Sequence, residues 1–130
     1  MRITLEADYA IRIVDCLTDS GQRLCAKAIS DRTGVSLRFT LKILRKLCIV
    51  NLIRSRQGIQ GGYELARKPE DINLKEVIEA IDGPIMINRC QGSCICSMVG
   101  DPKLCEFHSV FVNICDLICG KLSRVTFNKK

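Results

Sequence analysis

Ser36-Leu37-Arg38-Phe39-Thr40-Leu41-Lys42-Ile43-Leu44-Arg45-Lys46-Leu47-Cys48-Ile49 sorts its residues by chemistry once it is wound into a helix. At about 100° per residue, Leu37, Leu41, Leu44, Leu47 and Cys48 fall on one side, and Arg38, Lys42, Arg45 and Lys46 on the other. Ser36 stands where a hydroxyl caps the first free N–H groups. Upstream, a shorter helix from about Cys25 to Arg32 buries Ala28 and Ile29, and Gly34 supplies the turn between the two. Two helices joined by a tight glycine turn, the second with an outward basic face, make a helix-turn-helix, whose second helix enters the major groove of DNA. Ser36, Arg38 and Phe39, at its N-terminal end, are then placed to reach base edges, and Lys42, Arg45 and Lys46 to meet phosphate. A surface helix with a basic face is the bland alternative.

The residues that follow decide between the two. Leu52 to Arg56 reads as a strand, Gln57 to Gly62 as a glycine-rich loop and Tyr63 to Ala66 as a returning strand. A hairpin after a recognition helix is a wing. Its glycines let the backbone approach a duplex, and Arg54 and Arg56 are placed to reach phosphate or the minor groove. Gln60, Gly61 and Tyr63 complete the expected DNA-contacting set.

The remaining elements frame this unit. A first helix from about Leu5 to Asp19 has Thr4 as cap and Glu6 and Asp8 at its positive end, with a stripe of Tyr9, Ala10, Ile13, Val14 and Leu17. Pro69-Glu70-Asp71 is a short linker. Asn73 and Glu76 form a capping pair for a helix carrying Leu74, Val77, Ile78 and Ile81, closed by Gly83-Pro84. A last helix, from about Glu106 to Arg124, carries Phe107, Val110, Phe111, Ile114, Leu117, Ile118 and Leu122. That stripe is wider than a small winged helix needs for its own core, so it reads as a dimerisation helix. The expected fold is mainly α with a small β-hairpin: a winged helix-turn-helix over residues 1–83, a cysteine-rich loop over 84–105, and a long dimerisation helix and tail over 106–130.

Composition agrees with this plan. The chain has 130 residues, 47% of them apolar, and no tryptophan, so the core is built of Ile, Leu and Val. Residues 1–68 hold 13 Lys/Arg against 6 Asp/Glu, and residues 69–130 hold 7 against 8. From Arg32 to Tyr63 there are seven basic residues and no acidic one, which points to a polyanion partner, double-stranded DNA. The charged N-terminus does not suit a signal peptide, and no stretch approaches the roughly 20 apolar residues of a membrane span. A cytoplasmic location is therefore expected. There, nine cysteines speak for metal or redox chemistry over disulfides.

Four of those cysteines and the only histidine cluster as Cys90-x3-Cys94-x-Cys96-x8-Cys105-x2-His108. Thiolates gathered in a short, glycine-containing segment are soft-metal ligands, of an iron–sulfur cluster or of zinc. No Cys-x2-Cys pair exists, which counts against a zinc ribbon, a thioredoxin-type dithiol and the bacterial ferredoxin run. Cys16, Cys25 and Cys48 lie on or near apolar helix faces and read as core. Cys115 and Cys119, one turn apart on the last helix, read as packing or interface thiols.

The chain resembles the family of bacterial iron–sulfur winged-helix transcriptional regulators that includes IscR and NsrR. The likeness rests on the Met-Arg-Ile-Thr opening with Asp8-Tyr9-Ala10, Ile29-Ser30-x3-Gly34-Val35-Ser36, the wing from Arg56 to Tyr63, and Arg89-Cys90-Gln91-Gly92. It implies a homodimer on pseudo-palindromic operators and three cysteines holding a 2Fe–2S or 4Fe–4S cluster. By motif, Cys90 matches the first ligand, Cys96 the second and Cys105 the third. The family commonly has about five residues between consecutive ligands, whereas eight separate Cys96 from Cys105, and Cys94 is an extra thiol, so the second ligand is open between Cys94 and Cys96, or both bind in an all-cysteine site. The fourth ligand is open among His108, Asp8 and Cys94. The implied function is a cluster-sensing repressor, with neither an enzymatic activity nor a small-molecule substrate. Its alternatives are a winged-helix regulator with structural zinc, an iron–sulfur electron carrier and a protein-interaction module.

Overall fold

The computed structural model describes residues 2–88, 101 and 104–128. Helix α1 (Leu5–Ser20) begins where the Thr4 hydroxyl accepts from the Ala7 N–H at 3.2 Å, and it buries Ala7, Ala10, Ile13, Val14 and Leu17. Helix α2 (Ala26–Thr33) starts at Cys25. This cysteine is exposed and is not core: its Sγ accepts from the Ala28 N–H at 3.4 Å as the helix cap. Gly34, at φ 75°, ends α2 in the left-handed region and turns the chain into α3 (Leu37–Ile49). The hydroxyls of Ser30 (2.6 Å) and Thr40 (3.4 Å) both donate to the Val35 carbonyl, which ties the two helices across their turn.

Helix α3 faces the core differently from the expectation drawn from its leucines. Thr40, Ile43, Leu44 and Leu47 are buried, while Leu37 and Leu41 remain 41% and 45% exposed. The hydroxyl bond of Thr40 to Val35 lets a polar residue take the inner position, and the helix is rolled so that Ile43 fills the core in place of Leu41.

Strands β1 (Ile53–Arg56) and β2 (Gly62–Leu65) pair antiparallel, with Arg54 opposite Glu64 and Ser55 opposite Tyr63. Leu24 adds a third strand position: its N–H donates to the Tyr63 carbonyl at 3.0 Å and its carbonyl accepts from the Tyr63 N–H at 2.7 Å. Gly62, at φ 145°, sits so close to that crossing that a Cβ would lie 2.6 Å from the Leu24 carbonyl oxygen.

The segment Pro69–Asp71 forms a single 3-10 turn. Helix α4 (Leu74–Asp82) carries the complete capping box, with Asn73 accepting from Glu76 N–H and Glu76 accepting from Asn73 N–H. Helix α5 (Glu106–Ser123) packs against α4. Beyond it the chain returns to the head. Thr126 bridges Asn73, the Phe127 N–H donates to the Ile72 carbonyl at 3.2 Å, and the Phe127 ring is buried in the same core as Ile13, Ile29, Leu44 and Val77. Among the described residues, no helix is long and apolar enough to cross a membrane.

Candidate nucleic-acid interface and metal centre

The basic face of α3 survives folding, but its cations are not equivalent. Arg38, Lys42 and Arg45 are exposed. Among the described residues no carboxylate pairs with Arg38 or Arg45. Lys42 and Lys46 instead converge on Glu6 in the first turn of α1: Lys42 donates to one carboxylate oxygen, and Lys46 to the other at 2.9 Å. Their hydrogen bonds hold the Glu6 carboxyl below the usual carboxylate range. Ser36 spends its oxygen on the Phe39 N–H at 3.3 Å, so its role at this helix start is first that of a cap. Phe39 is 43% exposed and meets Tyr9 edge-on, with ring centroids 6.2 Å apart.

In the wing, Glu64 gathers three guanidinium groups: Arg54 at 2.8 Å, Arg56 at 3.4 Å and Arg23 at 3.5 Å. The Arg54 hydrogen bond is the largest influence lowering the Glu64 pKa. Arg23, on the segment before α2, also donates to the Gln60 carbonyl at 2.8 Å and so braces the wing loop. Sequence reasoning missed Arg23, because nothing local marks a residue 37 positions from its partner. Gln60 is exposed, Gly61 and Tyr63 are half-buried, and Ile59 projects fully at the wing tip. Helix α3 and the wing thus each present arginines or lysines held in position by one carboxylate, Glu6 for the helix and Glu64 for the wing.

Of the expected cluster ligands, Cys90, Cys94 and Cys96 lie outside the described residues. Cys105 occupies the cap position of α5 and is half-buried, with no side-chain capping bond. His108 lies in the first turn of that helix, and its Nδ1 is buried with no hydrogen-bond partner among the described residues. Leaving such an atom unsatisfied costs about 1–3 kcal/mol, and a ligand bond to a metal relieves that cost. A thiol and an imidazole at one helix start are suitable donors for an iron–sulfur cluster or for zinc. Asp8, by contrast, is already paired with Arg12 at 3.0 Å on the surface of α1. Among the described residues, no three Cys, His, Asp or Glu side chains converge on one point.

Residues 3–129 match a family profile described as "Rrf2: Iron-dependent Transcriptional regulator". The chain belongs to the Rrf2 family. It is 31% identical over 131 residues to the HTH-type transcriptional regulator IscR of Escherichia coli, covering 99% of this chain and 79% of that one. A second Rrf2 relative, an rrf2-like HTH-type regulator of Rhodobacter capsulatus, is 30% identical over 120 residues, covering 86% of this chain and 80% of that one. Two solved structures share the fold. One is "T. potens IscR", at TM-score 0.76 and 22% identity over 98% of this chain and 83% of that one. The other is CymR, the global cysteine regulator of B. subtilis, at TM-score 0.79 and 20% identity over 98% of this chain and 93% of that one. This Rrf2 chain is therefore a winged-helix, DNA-binding transcription regulator and not an enzyme.

Proposed function

We propose that the chain is a cytoplasmic, homodimeric repressor whose hold on double-stranded operator DNA is set by an iron–sulfur cluster, bound by Cys90, Cys96 and Cys105 with His108 as fourth ligand. The observation that carries this reading is the buried Nδ1 of His108, which has no hydrogen-bond partner among the described residues, in the helix turn that Cys105 begins. A histidine that merely starts a helix leaves Nδ1 to water or to a backbone partner, and among the described residues this Nδ1 has neither. The surface pairing of Asp8 with Arg12 makes it the weaker candidate. When bound, the cluster would supply a charge and coordination state that responds to iron supply, redox poise or nitric oxide.

The chain's own residues supply the rest. Cys105 and His108 start α5, and α5 ends in a tail whose Phe127 is seated in the head core. Phe107, Val110, Ile114 and Leu117 stand exposed along one side of α5, a stripe that suits a second copy. In a dimer built there, Arg38 of each protomer would reach base edges and Arg45 phosphate, at half-sites about one helical turn of DNA apart. Coupling between such sites is typically about 1–3 kcal/mol, or 5- to 150-fold in affinity.

The test is anaerobic purification with iron, sulfide and zinc analysis, a visible absorption spectrum, and DNA binding before and after chelation. Iron and sulfide in equal amounts, with operator affinity that changes on chelation, is the expected result. Zinc without charge-transfer bands after reconstitution would overturn the cluster and leave a regulator with structural zinc.

A further inference from the structure

A second pair of soft donors lies away from the cysteine-rich segment. Cys115 and Cys119 are one turn apart on α5, on the side that faces α4 and away from the exposed Phe107–Leu117 stripe. The Cys115 thiol is buried and donates to the Ile85 carbonyl at 3.0 Å. Cys119 is half-buried and lies beside Cys115. Two charges of α4 face the pair. Glu79 accepts from the Ile85 N–H at 3.1 Å and pairs with Lys75 at 3.5 Å.

We propose that Cys115 and Cys119 form a binding site for a single two-coordinate thiophilic cation of the Cu(I) class. This proposal is independent of the cluster. Geometry separates an ion from a disulfide. Residues four apart on a helix hold their Cβ atoms about 5–6 Å apart, whereas a disulfide requires about 3.5–4.5 Å, so direct oxidation would deform α5. Two metal–thiolate bonds of about 2.3 Å each span the gap between neighbouring turns with the helix intact. Ligand number separates Cu(I) from zinc. Zinc in a structural site takes four ligands, but Glu79 is already engaged by Ile85 and Lys75, leaving two thiols among the described residues. Thiolates are also the donors that select Cu(I).

Each thiol gives up its proton on binding, nothing is oxidised or reduced, and the bis-thiolate complex carries one negative charge that faces Lys75. Burial pushes the Cys119 thiol up, which keeps it protonated until a soft ion competes for it. Binding removes the Cys115 bond to Ile85, on the segment that leads into Cys90.

The test is an anaerobic Cu(I) titration, against a chromophoric Cu(I) chelator, of the full chain carrying Cys90→Ser, Cys94→Ser, Cys96→Ser and Cys105→Ser. Cys16, Cys25 and Cys48 remain as single-thiol controls. One equivalent per chain is expected, with its uptake lost in Cys119→Ser and Cys115→Ala proteins that retain their helical circular dichroism. X-ray absorption of the loaded loop-serine protein should find two sulfur scatterers per copper, a readout that needs no variant of the pair. Unchanged uptake after both substitutions, half an equivalent per chain, or a copper environment of three or more ligands would each overturn the site.

Discussion

Glu6 accepts hydrogen bonds from two lysines of the recognition helix, 36 and 40 positions further along the chain. Exposed ion pairs are worth only about 0.2–1 kcal/mol each to folding, but these two also draw positive charge away from a surface meant for phosphate. Glu6→Gln is therefore expected to bind duplex DNA more tightly than the native chain. Its log–log salt dependence should be steeper by up to about 0.9 for each lysine released, as read by fluorescence anisotropy across a salt series. The same carboxylate sets a pH dependence. Its folded pKa is depressed, so its contribution to stability is present above the ordinary glutamate value of about 4.3 and lost as pH falls through the lower folded value. The urea midpoints of native and Glu6→Gln protein should differ at pH 7 and converge only once pH has fallen below the depressed folded pKa of Glu6. In sequence, Glu6 reads only as an acid suited to a helix dipole. The histidine and the cysteines are visible from their types and spacing, whereas ion pairs between distant helices leave no local trace.

At the scale of elements, the caps, the turn glycines and the alternation of strand and loop are carried by short-range chemistry, so the two-helix unit, the wing and the capping box on α4 can be read directly. The roll of α3 cannot. Its apolar residues cover more than half the helix circumference, and the choice of Ile43 and Thr40 over Leu37 and Leu41 is made by α1 and the Val35 carbonyl. The wing depends on one close approach. Gly62→Ala adds a methyl group against the Leu24 carbonyl at a backbone angle that L residues avoid. A loss of about 1–3 kcal/mol is expected in urea unfolding, together with weaker DNA binding as the wing shifts. Gly34→Ala meets open space and carries only the left-handed backbone cost of about 1–2 kcal/mol.

For the whole molecule, what stands out is the outer side of α5, where Phe107 and Leu117 are 73% and 74% exposed. If a second copy covers this stripe, Leu117→Lys yields a monomer in sedimentation equilibrium that keeps native helicity and loses high-affinity binding to a two-half-site operator. A Leu117→Lys protein that still sediments as a dimer would place the contact elsewhere. The length of the apolar stripe made an exposed apolar face on α5 legible in the sequence. The anchoring of the tail was not, because Phe127 is a lone aromatic beyond the last helix, outside any periodic pattern.

That anchor makes α5 a lever. The helix has 18 residues and is about 27 Å long at ~1.5 Å per residue. Its far end is pinned by Phe127 and the Asn73–Thr126 bridge, while its near end carries Cys105 and His108. A tilt of about 10° at the pivot moves the cysteine end by about 5 Å and slides α5 along its packing against α4. On the proposed function, a chemical event at Cys105 and His108 would be read as an angle, and in a dimer the separation between the heads would follow that angle as a lever's load follows its handle.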